Sequence, residues 1–314
     1  MCLSVVVSTY SLDRYNDLID LLDGLNEQTC KSFEVIVVID KNKELFDKIS
    51  KYIEVKAIIN TNVIFNPKNN GLSYSRNIGV ENSKGSIVAF IDDDAVPSIN
   101  WVKSIIETFN EDDEIGAVTG EVVPLWEFKE MSWFPKELFW IISCSFEPIS
   151  SPKMEVASGF GVNMAFRRKL VVNLGMFNTS LGINGSKWQG GEDSDMFLRI
   201  REVGKKVMFN SETRVFHKVY AHRIYLKNVL KRAFNGGSSV VFMKKVRKYD
   251  LTIESSYLKG LLLKFYPSQL KELILYPSIV PFKRILIVSS VIVFEGFGYL
   301  YGTMSLKTKF GKLY

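Results

Sequence analysis

Ser86-Ile87-Val88-Ala89-Phe90-Ile91-Asp92-Asp93-Asp94 sets three consecutive carboxylates at the end of a run that is apolar from Ile87 to Ile91. A short run without alternation fits a strand buried on both faces, as in a parallel sheet covered by helices. Carboxylates crowded at such a strand end repel one another unless a hard divalent cation or hydrogen bonds compensate. Taken alone, the cluster reads equally as a turn or a helix cap.

Upstream, β-branched runs alternate with helical patterns in the order Leu3–Val7, Leu18–Leu25, Glu34–Ile39, Phe46–Tyr52, Ile87–Ile91 and Trp101–Phe109. This order predicts repeated βαβ units and an α/β fold with a mainly parallel sheet flanked by helices. Ligands of such sheets bind beyond the carboxyl ends of the strands, so residues 8–12, 40–43 and 92–97 should share one rim. No GxGxxG follows the first strand, whose turn reads Ser8-Thr9-Tyr10-Ser11, and no GxxxxGK[ST] occurs. Dehydrogenase and P-loop chemistry therefore lose support, and a metal ion is the usual substitute for a glycine cradle around phosphate. The middle, Val118 to Gly191, is rich in aromatics and glycine and reads as a cleft-forming segment with long loops.

The 314 residues, 46% hydrophobic and 13% aromatic, suffice for one large core or two modest ones and exclude disorder. Cys2, Cys30 and Cys144 are too few and too scattered for a disulfide framework or a zinc site, which predicts a reducing cytoplasm. The N-terminus enters a strand-like run directly, so no secretory signal is expected. The net charge of +6 is unevenly distributed, with +15 over residues 201–314 and −9 over residues 1–200. A basic tail on an acidic body suggests an anionic surface as partner, phospholipid or nucleic acid.

Further motifs surround the acids. Ser4-Val5-Val6-Val7-Ser8-Thr9-Tyr10 opens the chain, Gln28-Thr29 follows the first helical pattern, and Val37-Val38-Ile39-Asp40 ends the second strand. Asn70-Gly71-Leu72-Ser73-Tyr74-Ser75-Arg76-Asn77 precedes the acidic strand. Downstream stand Gly161-Val162-Asn163, Leu174-Gly175-Met176-Phe177 and Gly190-Gly191-Glu192-Asp193. In order and spacing this resembles the family 2 glycosyltransferases of the GT-A fold, a Rossmann-like nucleotide-diphospho-sugar transferase architecture, over about residues 1 to 220. Two departures are Ser8 for the usual proline and Asp40-Lys41-Asn42-Lys43 for the common Asp-Asp-Gly-Ser.

The resemblance implies an inverting transfer of a monosaccharide from a nucleotide-diphosphate sugar to an acceptor hydroxyl. It implies donor contacts from Thr9, Tyr10, Asp40, Arg76, Asp92 and Asp93, with Arg76 near the diphosphate. It implies a metal site of Asp92, Asp94 and His217, for which Mn²⁺ or Mg²⁺ suits the donor types. Asp193 would be the general base and Glu192 an acceptor contact. Outside that resemblance, Glu192 and Asp193 also fit as charges favoured at a helix N-terminus, and a lone histidine is more often structural.

From Arg214 to Lys248 there are ten Lys/Arg and no acid, and Arg223, Lys227 and Lys231 recur beside Leu226, Val229, Leu230 and Ala233, the pattern of a basic amphipathic helix. Ile285 to Leu306 is apolar apart from Glu295, while Glu295, Gly296, Gly298 and Gly302 weaken a membrane span. The expected division is a catalytic domain at 1–220 and a helical, basic and apolar extension at 221–314. That extension reads as helices on or partly in a membrane, a single span, or a soluble helical subdomain. The expected location is cytoplasmic, peripheral to the inner face of the cell membrane, with a lipid-linked or polysaccharide acceptor and no nucleic acid partner. The rival readings are a sugar-phosphate nucleotidyltransferase and a non-catalytic glycan- or nucleic-acid-binding protein.

Overall fold

The computed structural model describes residues 2–56, 58, 60–68, 71–146, 151–184, 187–246 and 252–310. Asn70, Arg247 and Lys248 of the motifs above lie outside these residues. In chain order the first half consists of β1 (Leu3–Thr9), α1 (Tyr15–Asn26), β2 (Phe33–Asp40), α2 (Lys43–Lys56), β3 (Thr61–Asn66), α3 (Leu72–Asn82), β4 (Ile87–Ile91), β5 (Ala95–Pro97), α4 (Trp101–Glu111) and β6 (Ile115–Trp126). There follow β7 (Lys153–Glu155), β8 (Asn163–Arg167), α5 (Arg168–Asn173), β9 (Gly182–Asn184), β10 (Lys187–Gln189), α6 (Glu192–Glu202) and β11 (Lys206–Val219). The chain ends in α7 (Leu226–Val246), α8 (Thr252–Gly260), α9 (Tyr266–Leu275) and α10 (Ile279–Phe310).

The main sheet runs β3-β2-β1-β4-β8-β6-β11-β5, with β7 beside β11. Its first four strands are parallel, in registers such as Val6 opposite Phe90, Thr9 opposite Ile39 and Asp40 opposite Asn66. Strands β1, β2 and β4 are largely apolar runs buried on both faces, as in β4, where all five residues are buried, while the edge strand β3 is only partly covered. Helix α1 meets the sheet through Leu18, Leu21, Leu22 and Leu25, all buried at helical spacing. One core cluster joins Val6, Ile36, Val38 and Phe90 to Phe166, Phe177 and Phe197, so α6 is anchored in the same core as the parallel strands.

The middle segment differs from its expected loop character. It supplies β8, inserted antiparallel between β4 and β6, with Ile91 opposite Asn163 and Val118 opposite Ala165. A five-residue strand whose partner lies more than seventy residues earlier in the chain leaves little trace in local periodicity. The sheet is therefore parallel in one half and extended by antiparallel neighbours in the other.

The chain forms two compact units. The first comprises Met1–Leu125, Ser143–Ser145 and Ile149–Lys218, and the second Trp126–Ile142, Phe146–Pro148 and Val219–Tyr314. The expected division at residue 220 assigns Trp126–Ile142 to the catalytic domain, whereas the second unit takes it in. Its side chains explain this: Arg284 Nε donates to the Trp133 carbonyl at 2.9 Å, and the Tyr257 hydroxyl donates to the Glu137 carbonyl at 3.0 Å. Within the same unit α7 begins at Leu226, and Arg223 lies in the 3₁₀ turn Ala221–Ile224 before it. Helices α7 and α10 approach until their backbones touch. A Cβ on Gly298 would fall 1.8 Å from the Phe234 carbonyl oxygen, and one on Gly237 would fall 2.0 Å from that of Glu295. Gly298, read from the sequence as weakening a span, thus serves helix–helix contact.

The parallel half has its own close approach. A Cβ on Gly79 of α3 would lie 2.2 Å from Val6 Cγ1 of β1. Gly79→Ala should destabilise the fold by about 1–3 kcal/mol through overpacking, read as a lower denaturant midpoint. An unchanged midpoint would contradict this packing of α3 on β1.

Candidate active site

The strands β1, β2 and β4 end side by side, and their last residues build one rim. At the end of β2, Asp40 is buried; its Oδ1 accepts from Asn66 Nδ2 at 2.7 Å and its Oδ2 accepts from the Ser75 hydroxyl. Burial pushes its pKa up, and these two hydrogen bonds pull against that. Thr9 is buried at the end of β1, while Tyr10 is 67% exposed. The departure after Asp40 has a local use. Lys41 takes φ 60, and Asn42 accepts the Leu45 amide at 2.9 Å at the start of α2 while donating to the Tyr10 carbonyl at 3.2 Å.

The three acids after β4 diverge. Asp92 is 36% exposed in its side chain and faces Arg76 at 3.3 Å. Asp93 is half-buried, and its carboxyl is pushed up to about 7 by burial and then by Asp94, with the Thr9 hydroxyl and Arg14 opposing. Asp94 is buried; its Oδ2 accepts from Arg14 at 2.8 Å, and its Oδ1 lies 3.2 Å from His217 Nε2. Strand pairing brings the last two together, since His217 in β11 sits opposite Ala95 in β5 and the Lys218 amide donates to the Asp94 carbonyl at 2.8 Å. His217 is internal to β11 rather than at its end, and its Nδ1 lies 3.7 Å from Cys144 Sγ.

Of the residues expected at a metal, Asp94 and His217 converge and Asp92 does not join them. Among the described residues no group of three or more His, Cys, Asp or Glu is gathered for a metal. Mg²⁺-type sites in phosphate chemistry take one or two protein ligands and complete their shell with phosphate oxygens and water. A carboxylate and an imidazole converging at the rim fit that pattern.

The other wall is the start of α6, entered through Gly191 at φ 101. Asp193 Oδ2 accepts from the Gly161 amide at 2.9 Å, and Oδ1 accepts from the Ser194 amide at 2.7 Å. Glu192 is buried against Arg76, with Nη1 to Oε1 at 2.9 Å. Burial, then the like charge of Asp193, pushes the Glu192 carboxyl up to about 7, with Arg76 opposing. Arg76 itself is 3% exposed and also donates from Nη2 to the Gly161 carbonyl at 3.3 Å. Both sides of Gly161 are thus in use, and a Cβ there would lie 3.1 Å from Arg76 Nη2 and 3.1 Å from Asp193 Oδ2.

Three participants carry no assignment from the sequence: Arg14, Gly161 and the pair Asn66 and Ser75 that grips Asp40. Arg14 and Asp17 stand at helical i,i+3 spacing, which suggests an ion pair between them and says nothing of Asp94, eighty residues away.

A sequence profile of glycosyl transferase family 2 matches residues 4–175. A glucosyl-dolichyl phosphate glucuronosyltransferase of Haloferax volcanii is 31% identical over 307 residues, covering 97% of this chain and 97% of that protein. The mannosyltransferase PcManGT from Pyrobaculum calidifontis, in complex with GDP-Man and Mn²⁺, superposes with a TM-score of 0.62 at 17% identity, over 99% of this chain and 87% of that one. GalNAc-T7 with UDP, GalNAc and Mn²⁺ superposes with a TM-score of 0.57 at 16% identity, over 82% of this chain and 54% of that one. At these identities the structural likeness speaks for the fold.

The two raised carboxyls have a consequence for stability. Asp93 and Glu192 titrate near 7 when folded, against 3.8 and 4.5 for the free groups, so the folded chain binds more protons in between. Their contribution is full at low pH and is lost as pH rises through about 7. In EDTA the melting temperature should fall between about pH 5 and about pH 8, and Glu192→Gln should flatten that fall. A melting temperature that rises over this range would contradict the burial of these charges.

Proposed function

Because the chain belongs to glycosyl transferase family 2, has the GT-A fold and is a glycosyltransferase, we propose that it moves a monosaccharide from a nucleotide-diphosphate sugar to a hydroxyl of a lipid-linked glycan, with inversion. Family membership removes the nucleotidyltransferase and binding-protein readings. The observation that carries the proposal is the tie that Arg76 makes between Asp92 at the end of β4 and Glu192 and the Gly161 carbonyl on the other side, with Asp94 and His217 paired two residues beyond Asp92 and Asp193 next to Glu192.

On the donor side Thr9, Tyr10 and Asp40 hold the nucleoside, and Asp92 and Asp93 flank it. Asp94 and His217 are the residues that would hold Mn²⁺ or Mg²⁺, and the ion, when bound, supplies charge neutralisation for the diphosphate that departs. Mn²⁺ in the complexes of PcManGT and GalNAc-T7 supports a divalent ion. Arg76, expected near the diphosphate, hydrogen-bonds Glu192 and the Gly161 carbonyl and pairs with Asp92, and these contacts support a positioning role for it.

On the acceptor side Asp193 takes the hydroxyl proton on a carboxylate oxygen as the new oxygen–C1 bond forms and the C1–phosphate oxygen bond breaks. The electron pair of the broken bond leaves with the nucleoside diphosphate, and no covalent enzyme intermediate is needed. The Gly161 amide keeps Asp193 oriented, and Glu192 contacts the acceptor. The lipid-linked acceptor draws support from the name of the Haloferax volcanii relative, whose substrate carries a dolichyl phosphate.

The second unit supports a place at the cytoplasmic face of a membrane. Ile279–Ser305 of α10 is long and apolar enough to cross a bilayer. Phe282, Leu286, Val293, Phe297, Leu300 and Met304 are nevertheless exposed along it, and Lys227 and Lys231 are exposed on α7. An apolar stripe with basic neighbours suits a surface-lying helix on anionic lipid.

Calorimetric titration with nucleoside diphosphate should show binding in Mn²⁺ that EDTA and Asp94→Ala each remove; equal binding in EDTA would end the metal assignment. Asp193→Asn should lower kcat by about 10²–10⁴-fold and leave donor affinity within a few-fold. Near wild-type transfer by that variant would pass the base role to Glu192 or Asp195. In co-sedimentation, anionic vesicles should carry down more protein than neutral ones, and recovery in the supernatant with both would reject the membrane surface.

A further inference from the structure

Asp94 does not wait for a metal with its charge exposed. Its carboxylate is buried, and a buried carboxylate stays charged only with a cation or several donors beside it. Arg14, at the end of the 3₁₀ turn Leu12–Arg14 that leaves the rim strand β1, supplies that cation at 2.8 Å. The same guanidinium nitrogen lies 3.1 Å from Asp17 Oδ2, in the first turn of α1. Asp17 in turn meets Lys218 at 2.9 Å, the residue next to His217. Arg14 therefore has two acidic partners, one at the rim and one behind it.

We infer that Arg14 is a built-in counter-ion that competes with the divalent cation for Asp94 and hands Asp94 over when the cation arrives, keeping Asp17 as its own partner. The inference rests on the reading of Asp94 and His217 as metal ligands. A dication at Asp94 and a guanidinium on the same carboxylate repel each other, so the two occupancies oppose. Asp17 lowers the cost of release, because the guanidinium need not end without a carboxylate. In the metal-free enzyme Arg14 thereby offsets the repulsion among the rim acids, at the expense of affinity for the bare ion. A diphosphate arriving with the ion adds negative charge that both cations can share. Arg14 is thus a positioning residue that sets how strongly ion binding depends on the nucleotide.

Two measurements test this. In EDTA, Arg14→Met should lower the melting temperature and a further Asp94→Asn should restore part of the loss, a coupling that needs no metal. Absence of coupling overturns the inference. With Mn²⁺ alone, followed by the paramagnetic resonance of the free ion, Arg14→Met should bind about tenfold more tightly than wild type, Arg14→Lys close to wild type, and Asp17→Asn more weakly. Equal or weaker uptake by Arg14→Met overturns the inference. Coupling in EDTA with no Mn²⁺ uptake by any variant would instead sink the metal reading of Asp94 and His217, and the hand-over with it.

Discussion

Arg76 carries a full positive charge at 3% exposure, beside the packed rings of Phe90 and Phe177, whose centroids lie 6.0 and 5.7 Å from the guanidinium carbon. Removing an ion from water costs several kcal/mol even after relaxation, and the cost is offset only by close partners in good geometry. Arg76 has three: Asp92 at the end of β4, Glu192 at the start of α6, and the Gly161 carbonyl between β7 and β8. Each comes from a different stretch of chain. The two walls of the site are therefore fixed relative to each other inside the first unit, and Asp193, one residue beyond Glu192, takes its place from the same tie.

That arrangement accounts for the electrostatics around it. Asp93 and Glu192 are both pushed towards neutrality by burial and by a neighbouring acid, one on each wall. Positive groups stand within reach of both, Arg14 for the Asp93–Asp94 pair and Arg76 for Glu192. The site is thus a set of acids held at close range by two arginines. The proposed function uses these acids to receive further positive charge on the donor side and a hydroxyl proton on the acceptor side.

Much of this is legible in the sequence. The run Ile87–Ile91 ending in three acids is β4 and its rim, and the family resemblance carried by Asn70 to Asn77 agrees with the family profile, which matches residues 4–175. The strand end at Asp40 is legible for the same reason, a continuous Val/Ile run that stops at an acid. What escapes depends on contacts between distant residues. Asp92 and Asp94 stand two apart, yet one meets Arg76 and the other Arg14 and His217. Arg76 reads as a phosphate ligand from its motif, and only the positions of Glu192 and Gly161 reveal a tie. Strand β8 and the transfer of Trp126–Ile142 to the second unit depend likewise on partners far along the chain. Gly298 looks like a flaw in an apolar helix until the Phe234 carbonyl beneath it is known.

The tie can be tested by replacing Arg76 with lysine, which keeps the charge but cannot span Asp92, Glu192 and the Gly161 carbonyl at once. With folding verified by an intact cooperative melt, Arg76→Lys should bind nucleoside diphosphate within a few-fold of wild type. It should transfer sugar at least about tenfold more slowly, because the start of α6, with the proposed base Asp193, is no longer held in place. Transfer at the wild-type rate, or a defect confined to donor affinity, would contradict the account and return Arg76 to the diphosphate.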